Sequence, residues 1–169
     1  MNMLEAVGSC FRKYFKFSGR ARRSEFWYWV LFTIIAGIVF GILDSLFFGW
    51  ESSDVEPLGS LFSLATLFPG LAVSWRRLHD TGRSGWWIGG SYLVVIAVSF
   101  VFGMMFVSLG LANDLGNIGF GVGLVAALLV LMGLAYWILL IVFFCQDSHF
   151  GPNKYGPNPK DDGNVSVFD

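Results

Sequence analysis

A short polar segment in the middle of the chain carries the residues best suited to chemistry. Residues 75–87 hold three arginines, one of the chain's two histidines and an aspartate, and they lie between two long apolar runs. His79 precedes Asp80, and a histidine beside a carboxylate can titrate near neutral pH and relay protons. The alternative is a hydrogen-bonded histidine with a structural role. For Asp80 the sequence predicts either an ion pair with an arginine or capping of the turn at Thr81-Gly82.

A second group of arginines lies before the first apolar run. Arginine binds phosphate through a planar fork of donors, so arginines near a membrane surface attract anionic lipid headgroups. The alternative is that they only set the orientation of the chain in the membrane. Glu25 is predicted to pair with an arginine because it lies close to the membrane. The candidate binding residues, for headgroups or a protein partner, are Arg20, Arg22, Arg23, Glu25, Arg76, Arg77, His79, Asp80, Arg83 and Trp86.

The other reactive residues form no recognisable catalytic or metal-binding pattern. The two histidines, Cys145 and nearby acids would suffice in number for a metal ion, but no His or Cys pair has a known ligand spacing. No serine or cysteine has a base placed beside it, and no glycine-rich phosphate loop is present. We therefore expect no catalytic residue, no metal, no cofactor and no nucleic-acid partner. An enzyme at the membrane face, with His79 as base and Asp80 as its orienting acid, stays open as a third alternative.

The composition indicates a membrane protein. Hydrophobic residues make up 55% of the chain and charged residues only 14%, whereas about 25% of residues are charged in soluble globular proteins. Four apolar runs, at residues 26–49, 57–75, 86–111 and 118–145, are each predicted to span the bilayer as a helix. They would form one integral membrane domain over residues 1–160, followed by a flexible polar tail at 161–169.

The distribution of basic residues predicts the orientation. All eleven Lys and Arg residues lie before the first run, between the second and third, or after the last. The positive-inside rule therefore places both termini and the central segment in the cytoplasm. The predicted fold is all-α: a polytopic membrane protein with a four-transmembrane-helix antiparallel bundle, since each helix satisfies its own backbone polar groups in lipid.

The N-terminal residues 3–17 predict an additional amphipathic helix. Such a helix can lie in the headgroup region or pack against the cytoplasmic ends of the bundle, and both can hold at once. Its apolar face would carry Leu4, Val7, Phe11, Tyr14 and Phe15, and its polar face Glu5, Ser9, Arg12, Lys13 and Lys16.

Three features inside the first two runs bear on function. Asp44 lies near the far end of the first run, where its carboxylate is expected to snorkel to the interface. Pro69 is expected to kink the second helix. Gly37 and Gly41 form a small-residue face suited to a neighbouring helix. As an alternative function, Asp44, the Pro69 kink and the central polar segment at residues 75–87 would line the path of a small oligomeric transporter or channel.

Three segments resemble one known family. They read FSGRARRSEFW at residues 17–27, RRLHDTGRSGWW at residues 76–87 and GPNKYGPNP at residues 151–159. Together they resemble the domain-of-unknown-function 805 family, the YhaH-like small inner-membrane proteins of bacteria. The resemblance implies a multi-pass bacterial inner-membrane protein without an established activity. Residues 146–150 depart from the family pattern, where a glycine-rich start of the tail is expected, so His149 carries less functional weight than His79.

The function favoured by these observations is that of a non-enzymatic inner-membrane protein. Its cytoplasmic Arg/His–Asp cluster would bind anionic phospholipid headgroups or a protein partner. A homo-oligomer or a membrane-protein partner stays open.

Overall fold

The computed structural model describes residues 1–48, 56–111 and 116–160, and of residues 108–111, 116–120 and 122 it describes the backbone alone. This part of the chain contains helices and no β-strand, which confirms the all-α class. The helices are α1 (Met3–Arg12), α2 (Arg23–Phe48), α3 (Pro57–Asp80), α4 (Trp86–Leu111) and α5 (Gly116–Cys145). Helices α2 to α5 are long and apolar enough to cross a membrane, which confirms a polytopic membrane protein. The predicted tail at 161–169 lies outside the described residues.

The described chain divides into two compact units. The first unit comprises Met1–Gly85 with Phe144–Asp169, and the second comprises Trp86–Phe143. In the second unit α4 and α5 form a helical hairpin. The Tyr136 hydroxyl donates a hydrogen bond to the carbonyl of Trp87, and the two rings stack. The predicted single domain over residues 1–160 stays a prediction.

In the first unit, α2 and α3 are antiparallel neighbours. Arg76 near the end of α3 contacts Glu25 at the start of α2. At the opposite end, Asp44 of α2 contacts the first turn of α3. Between these ends the Phe62 ring packs against Phe40, with ring centroids 4.9 Å apart. The two helices therefore pack against each other along one shared face, as consecutive helices usually do.

Helix α3 continues past its predicted end. The sequence predicts a span that stops at Trp75, but α3 ends at Asp80, so the first half of the central segment is helical rather than loop. The helix ends in a Schellman motif: Gly82 N–H donates to the His79 carbonyl at 3.0 Å, and Arg83 N–H donates to the Leu78 carbonyl at 2.9 Å. Gly82 has a φ of +77°, the left-handed conformation that favours glycine.

Asp44 caps α3. Its carboxylate accepts hydrogen bonds from the N–H groups of Leu58 at 3.0 Å and Gly59 at 2.7 Å. These N–H groups have no partner within the helix, and the helix dipole favours a negative charge beside them. Glu56, the residue at the N-cap position, makes no capping hydrogen bond with its side chain. Asp44 is only 4% exposed, so the predicted snorkelling to the interface is wrong.

Pro69 lies inside α3 and removes one helical donor. A helical residue at this position would donate its N–H to the carbonyl of Ala65, one turn earlier, and proline has no N–H. The hydroxyl of Tyr14 donates to the Ala65 carbonyl at 2.8 Å. Tyr14 therefore supplies the hydrogen bond that Pro69 cannot make.

The hydrogen bond from Tyr14 to the Ala65 carbonyl predicts an energetic coupling between Tyr14 and Pro69. Tyr14→Phe should lower the free energy of unfolding by about 1 kcal/mol, because the Ala65 carbonyl loses its partner. In a Pro69→Ala background the alanine N–H restores the helical bond, so Tyr14→Phe should cost close to nothing. A double-mutant cycle of unfolding in mild detergent measures the difference. An equal cost of Tyr14→Phe in both backgrounds would contradict the assigned role.

Helix α1 is shorter than predicted. It ends at Arg12 rather than at residue 17. A turn follows, in which Lys16 N–H donates to the Lys13 carbonyl at 3.0 Å. Leaving the helix here lets the Phe15 ring reach Phe68 of α3, with centroids 5.1 Å apart. The helix therefore ends at Arg12, where packing of Phe15 against α3 begins, although the apolar periodicity of the sequence continues beyond this residue.

The faces of α1 also differ from the prediction. Its small residues Ala6, Ser9 and Cys10 are buried against the first unit, whereas Leu4 is 84% exposed and Phe15 is 66% exposed. The assignment of Ser9 to the polar outer face is wrong because its hydroxyl donates to a buried carboxylate. α1 therefore packs on its neighbours through these small side chains and through Val7 and Phe11 of the predicted apolar face, and it leaves Leu4 exposed.

Candidate functional site

Asp80 lies at the centre of the predicted cluster, in the last turn of α3. Its buried carboxylate bridges two guanidinium groups: Oδ1 accepts from Arg20 Nε at 2.8 Å, and Oδ2 accepts from Arg77 Nη1. Arg77 belongs to the same helix, whereas Arg20 lies in the connector before α2. A buried carboxylate is tolerated where its charge is paired and its oxygens are hydrogen-bonded. Of its two predicted roles, Asp80 takes the ion pair.

The remaining donors of Arg20 bind the C-terminal segment, which we define as residues 144–160. Nη2 donates to the His149 carbonyl at 2.7 Å, and Nη1 donates to the Gly151 carbonyl at 2.7 Å. The Gly156 carbonyl lies 3.4 Å from Nη1. The Arg20 side chain is only 1% exposed. Each of its three nitrogens thus has a partner, and two of them hold the chain's own backbone.

Arg77 binds the same segment from the other side of Asp80. Its Nε donates to the Phe144 carbonyl at 3.1 Å, and its Nη2 donates to the Gln146 carbonyl. Its side chain is fully buried. The two arginines that share Asp80 therefore also fasten the C-terminal segment to the end of α3.

His79 provides a second attachment. Its imidazole ring stacks on the Tyr155 ring, with centroids 3.7 Å apart and planes inclined by 2°. Its Nδ1 lies 3.2 Å from the Gly19 carbonyl, and its own carbonyl accepts from Asn153 Nδ2 at 2.9 Å. A carbonyl only accepts hydrogen bonds, so Nδ1 carries the proton in this contact.

The C-terminal segment is shaped for these contacts by a tight turn. Asn153 and Gly156 exchange two backbone hydrogen bonds, at 3.1 and 3.0 Å. The Asn153 side chain also accepts from the N–H of Tyr155 at 2.9 Å. Gly151 and Gly156 both have positive φ, +70° and +134°, and their carbonyls face Arg20. This turn presents the Tyr155 ring and the two carbonyls to the cluster.

Glu25 and Arg76 form a separate ion pair beneath α1. Glu25 Oε1 accepts from Arg76 Nη1 at 2.9 Å and from the Ser9 hydroxyl at 3.0 Å. The Lys13 ammonium lies 3.7 Å away. The arginine that pairs with Glu25 is therefore Arg76, and the pair ties α1, α2 and α3 together.

The thiol of Cys10 lies beside this ion pair. Its burial, and to a lesser extent the negative charge of Glu25, raise the pKa of the Cys10 thiol to about 12. This cysteine is therefore not a nucleophile at neutral pH.

Three further arginines hold the C-terminal segment at the rim of the cluster. Arg22 Nε donates to the Pro159 carbonyl, and Arg83 Nη1 donates to Gln146 Oε1 at 2.6 Å. Arg23 donates to the Cys145 carbonyl at 3.1 Å and to the Asp147 carboxylate. A hydrogen bond from Lys160 and the charge of Arg23 lower the pKa of Asp147 below its usual value.

Of the predicted cluster, the structure brings together nine residues, all in the first unit. The tenth, Trp86, begins α4 in the second unit, and its side chain is exposed. His79 and Asp80 are adjacent but do not form a catalytic pair, because Asp80 binds two arginines and the His79 ring binds Gly19 and Tyr155. In the described part of the chain, no three His, Cys, Asp or Glu side chains are grouped to hold a metal ion.

Sequence reasoning missed the partner that occupies the arginines. Tyr155, Asn153 and the carbonyls of the C-terminal segment received no role. The signal was present: the repeated Gly-Pro-Asn turns at residues 151–159 are typical of ordered loops rather than of a loose tail. The ion pairs between arginines and acids in the cluster, by contrast, followed from the residue types alone.

Comparison with known proteins places this arrangement in a family. Residues 14–157 match the model of a family described as "Protein of unknown function (DUF805)". The match covers α2 to α5, the cluster and the turn that holds Tyr155. The chain belongs to the DUF805 family. The predicted resemblance is thereby confirmed.

Two relatives of this DUF805 chain are named membrane proteins. "Inner membrane protein YhaH" of Escherichia coli (strain K12) is 33% identical over 150 residues, which cover 88% of this chain and 91% of YhaH. "Inner membrane protein YhaI" of the same strain is 33% identical over 152 residues, 90% of this chain and 92% of YhaI. "Uncharacterized protein YiiR" is 34% identical over 85 residues, about half of either chain. No solved structure matches this DUF805 chain.

Proposed function

We propose that this chain is a non-enzymatic inner-membrane protein whose Arg/His–Asp cluster lies on the cytoplasmic side and binds anionic phospholipid headgroups. The observation that carries the proposal is an excess of positive charge in one ordered site. Six guanidinium groups of the cluster are accompanied by three carboxylates, those of Glu25, Asp80 and Asp147. A phosphate group would compensate the excess, and arginine binds it in a fixed planar geometry.

The cytoplasmic placement rests on charge distribution. Every Lys and Arg lies before α2 or at its first residue, in the last two turns of α3 or between α3 and α4, or after α5. By the positive-inside rule both termini and the cluster face the cytoplasm. The names of YhaH and YhaI support the inner membrane as the location. The exposed Leu4 and Phe15, with Arg12 and Lys16 nearby, suit α1 to the headgroup region of the same leaflet.

The transporter alternative loses its proposed path residue. The carboxylate of Asp44, proposed as a residue of the path, accepts hydrogen bonds from the first turn of α3. A Cβ atom added at Gly37 or Gly41 would meet no described atom within 4 Å, so an additional helix could pack there. The enzyme alternative lacks a dyad, since His79 and Asp80 have separate partners.

Lipid retention in native mass spectrometry tests the proposal. Wild-type protein released from mild detergent should retain phosphatidylglycerol several-fold more than phosphatidylethanolamine. Arg22→Gln/Arg83→Gln should lose most of this preference, because both residues belong to the cluster. Arg12→Gln/Lys16→Gln removes the same charge outside the cluster, so it serves as the matched control and should lose much less of the preference than Arg22→Gln/Arg83→Gln. Equal retention of the two lipids by the wild type, or equal losses in both variants, would refute the proposal.

A further inference from the structure

We propose that the C-terminal segment is an internal substitute ligand, which occupies the phosphate-binding donors of Arg20 and Arg77 and must leave before an anionic headgroup can bind there. This inference rests on the proposed function and names its site. The site is the buried side-chain cluster around Asp80, and the ligand chemistry is a phosphate mono- or diester.

The first support is the geometry of the donors. Four guanidinium nitrogens make no hydrogen bond to Asp80: Arg20 Nη1 and Nη2, and Arg77 Nε and Nη2. All four point at backbone carbonyl oxygens of residues 144–156. Backbone carbonyl oxygens thus occupy guanidinium donors of the kind that bind the oxygens of a phosphate ligand. The segment therefore mimics the oxygen atoms of such a ligand.

The second support is the charge. Arg20 and Arg77 share one carboxylate, that of Asp80, so the three groups together keep one positive charge inside the protein. Carbonyl dipoles satisfy the hydrogen bonds of the guanidiniums but leave this charge uncompensated. A phosphate anion would satisfy the same donors and also neutralise the charge. Exchange of the segment for a headgroup is thus electrostatically favoured once the segment has moved.

The third support is that a limited set of side-chain contacts holds the segment. At the rim, Gln146 accepts from Arg83 and Asp147 pairs with Arg23. Tyr155 stacks on His79, and Asn153 donates to the His79 carbonyl. The backbone N–H of His149 donates to the Asp80 carbonyl at 2.9 Å. Phe150, at the middle of the segment, is 95% exposed and makes no comparable contact. Release requires the loss of these contacts and leaves α2 and α3 packed on each other.

Hydrogen–deuterium exchange of the full chain in nanodiscs tests the competition directly. Phosphatidylglycerol, compared with phosphatidylcholine alone, should accelerate exchange of the segment's amides, His149 and Gly156 in particular, because ligand and segment compete for one site. The amides of Leu58 and Gly59 at the far end of α3 provide the internal reference and should not change. Slower or unchanged exchange of the segment in phosphatidylglycerol would overturn the inference.

Weakening the segment gives the reciprocal measurement. Asn153→Ala/Tyr155→Ala removes the stack and the side-chain hydrogen bond and should raise retention of phosphatidylglycerol by roughly tenfold. Phe150→Ala, an aromatic-to-alanine change in the same segment, is the matched control and should have no effect. Equal retention by the wild type and both variants would contradict the inference. Glycerol phosphate added in parallel distinguishes a lipid from a soluble phosphate ester as the source of the ligand group.

The two proposals fail in different ways. If the wild type retains phosphatidylglycerol through Arg22 and Arg83 but the segment does not respond to the lipid, the headgroup site exists and the substitute-ligand inference is wrong. If neither the wild type nor Asn153→Ala/Tyr155→Ala distinguishes anionic from zwitterionic lipid, headgroup binding itself is wrong.

Discussion

Asp80→Ala is expected to lower the free energy of unfolding by about 3–5 kcal/mol, the usual cost of leaving a buried charge without its partner. Here the effect falls on two charges, because Arg20 and Arg77 both pair with Asp80 and neither side chain is exposed to water. The connector before α2 and the C-terminal segment would both lose their attachment to α3. Unfolding in mild detergent, followed by circular dichroism, measures the loss.

The matched control for this change is Asp147→Ala. Asp147 also pairs with an arginine and additionally with Lys160, but its side chain is 71% exposed. Water already screens this ion pair, so its removal should change stability little. If Asp80→Ala and Asp147→Ala lowered the free energy of unfolding by similar amounts, burial would not determine how much these ion pairs stabilise the protein.

Asp44→Ala is expected to cost about 2 kcal/mol, because two N–H groups at the start of α3 lose a charged acceptor. Asp44→Asn keeps one acceptor oxygen and should cost roughly half as much. Glu56→Ala is the control, since Glu56 occupies the N-cap position without a capping hydrogen bond. The same unfolding measurement applies. A larger loss in Glu56→Ala than in Asp44→Ala would contradict the cap assignment.

Much of the fold could be predicted because the bilayer imposes simple requirements. Apolar runs of sufficient length identified all four long helices, and the arginine-rich segments marked their charged ends. The predicted ends of the helices were less accurate. α3 continues through Arg76, Arg77 and Asp80 because these charges pair with one another, with Glu25 and with Arg20. Hydropathy treats each charge separately and therefore ends the helix too early.

The functions of single polar residues depended on partners that are distant in sequence. Asp44 finds its partners at residues 58 and 59, and Tyr14 finds its partner at residue 65. Neither pairing follows from a local pattern, because it depends on how α1, α2 and α3 pack. The unpaired Ala65 carbonyl was foreseeable from Pro69 alone, but the donor that satisfies it was not.

The residue types of the candidate site were predicted, but the hydrogen bonds that join them to the C-terminal segment were not. Nine of the ten proposed residues do lie together, since basic and acidic side chains near a membrane pair with each other. The C-terminal segment was assigned to the membrane domain, but its Pro, Gly and Asn residues received no binding partner. In the structure those residues form the turn at Asn153–Gly156 that fits against His79 and Arg20.

The most direct test of this account is a nuclear Overhauser measurement between His79 and Tyr155 in the full-length protein in nanodiscs. The stacked rings, with centroids 3.7 Å apart, predict strong cross-peaks between their ring protons. They also predict an upfield shift of the His79 ring protons that disappears in Tyr155→Leu. Absence of the cross-peaks, with the same His79 shifts in the wild type and in Tyr155→Leu, would contradict the claim that the C-terminal segment is held on the arginine cluster.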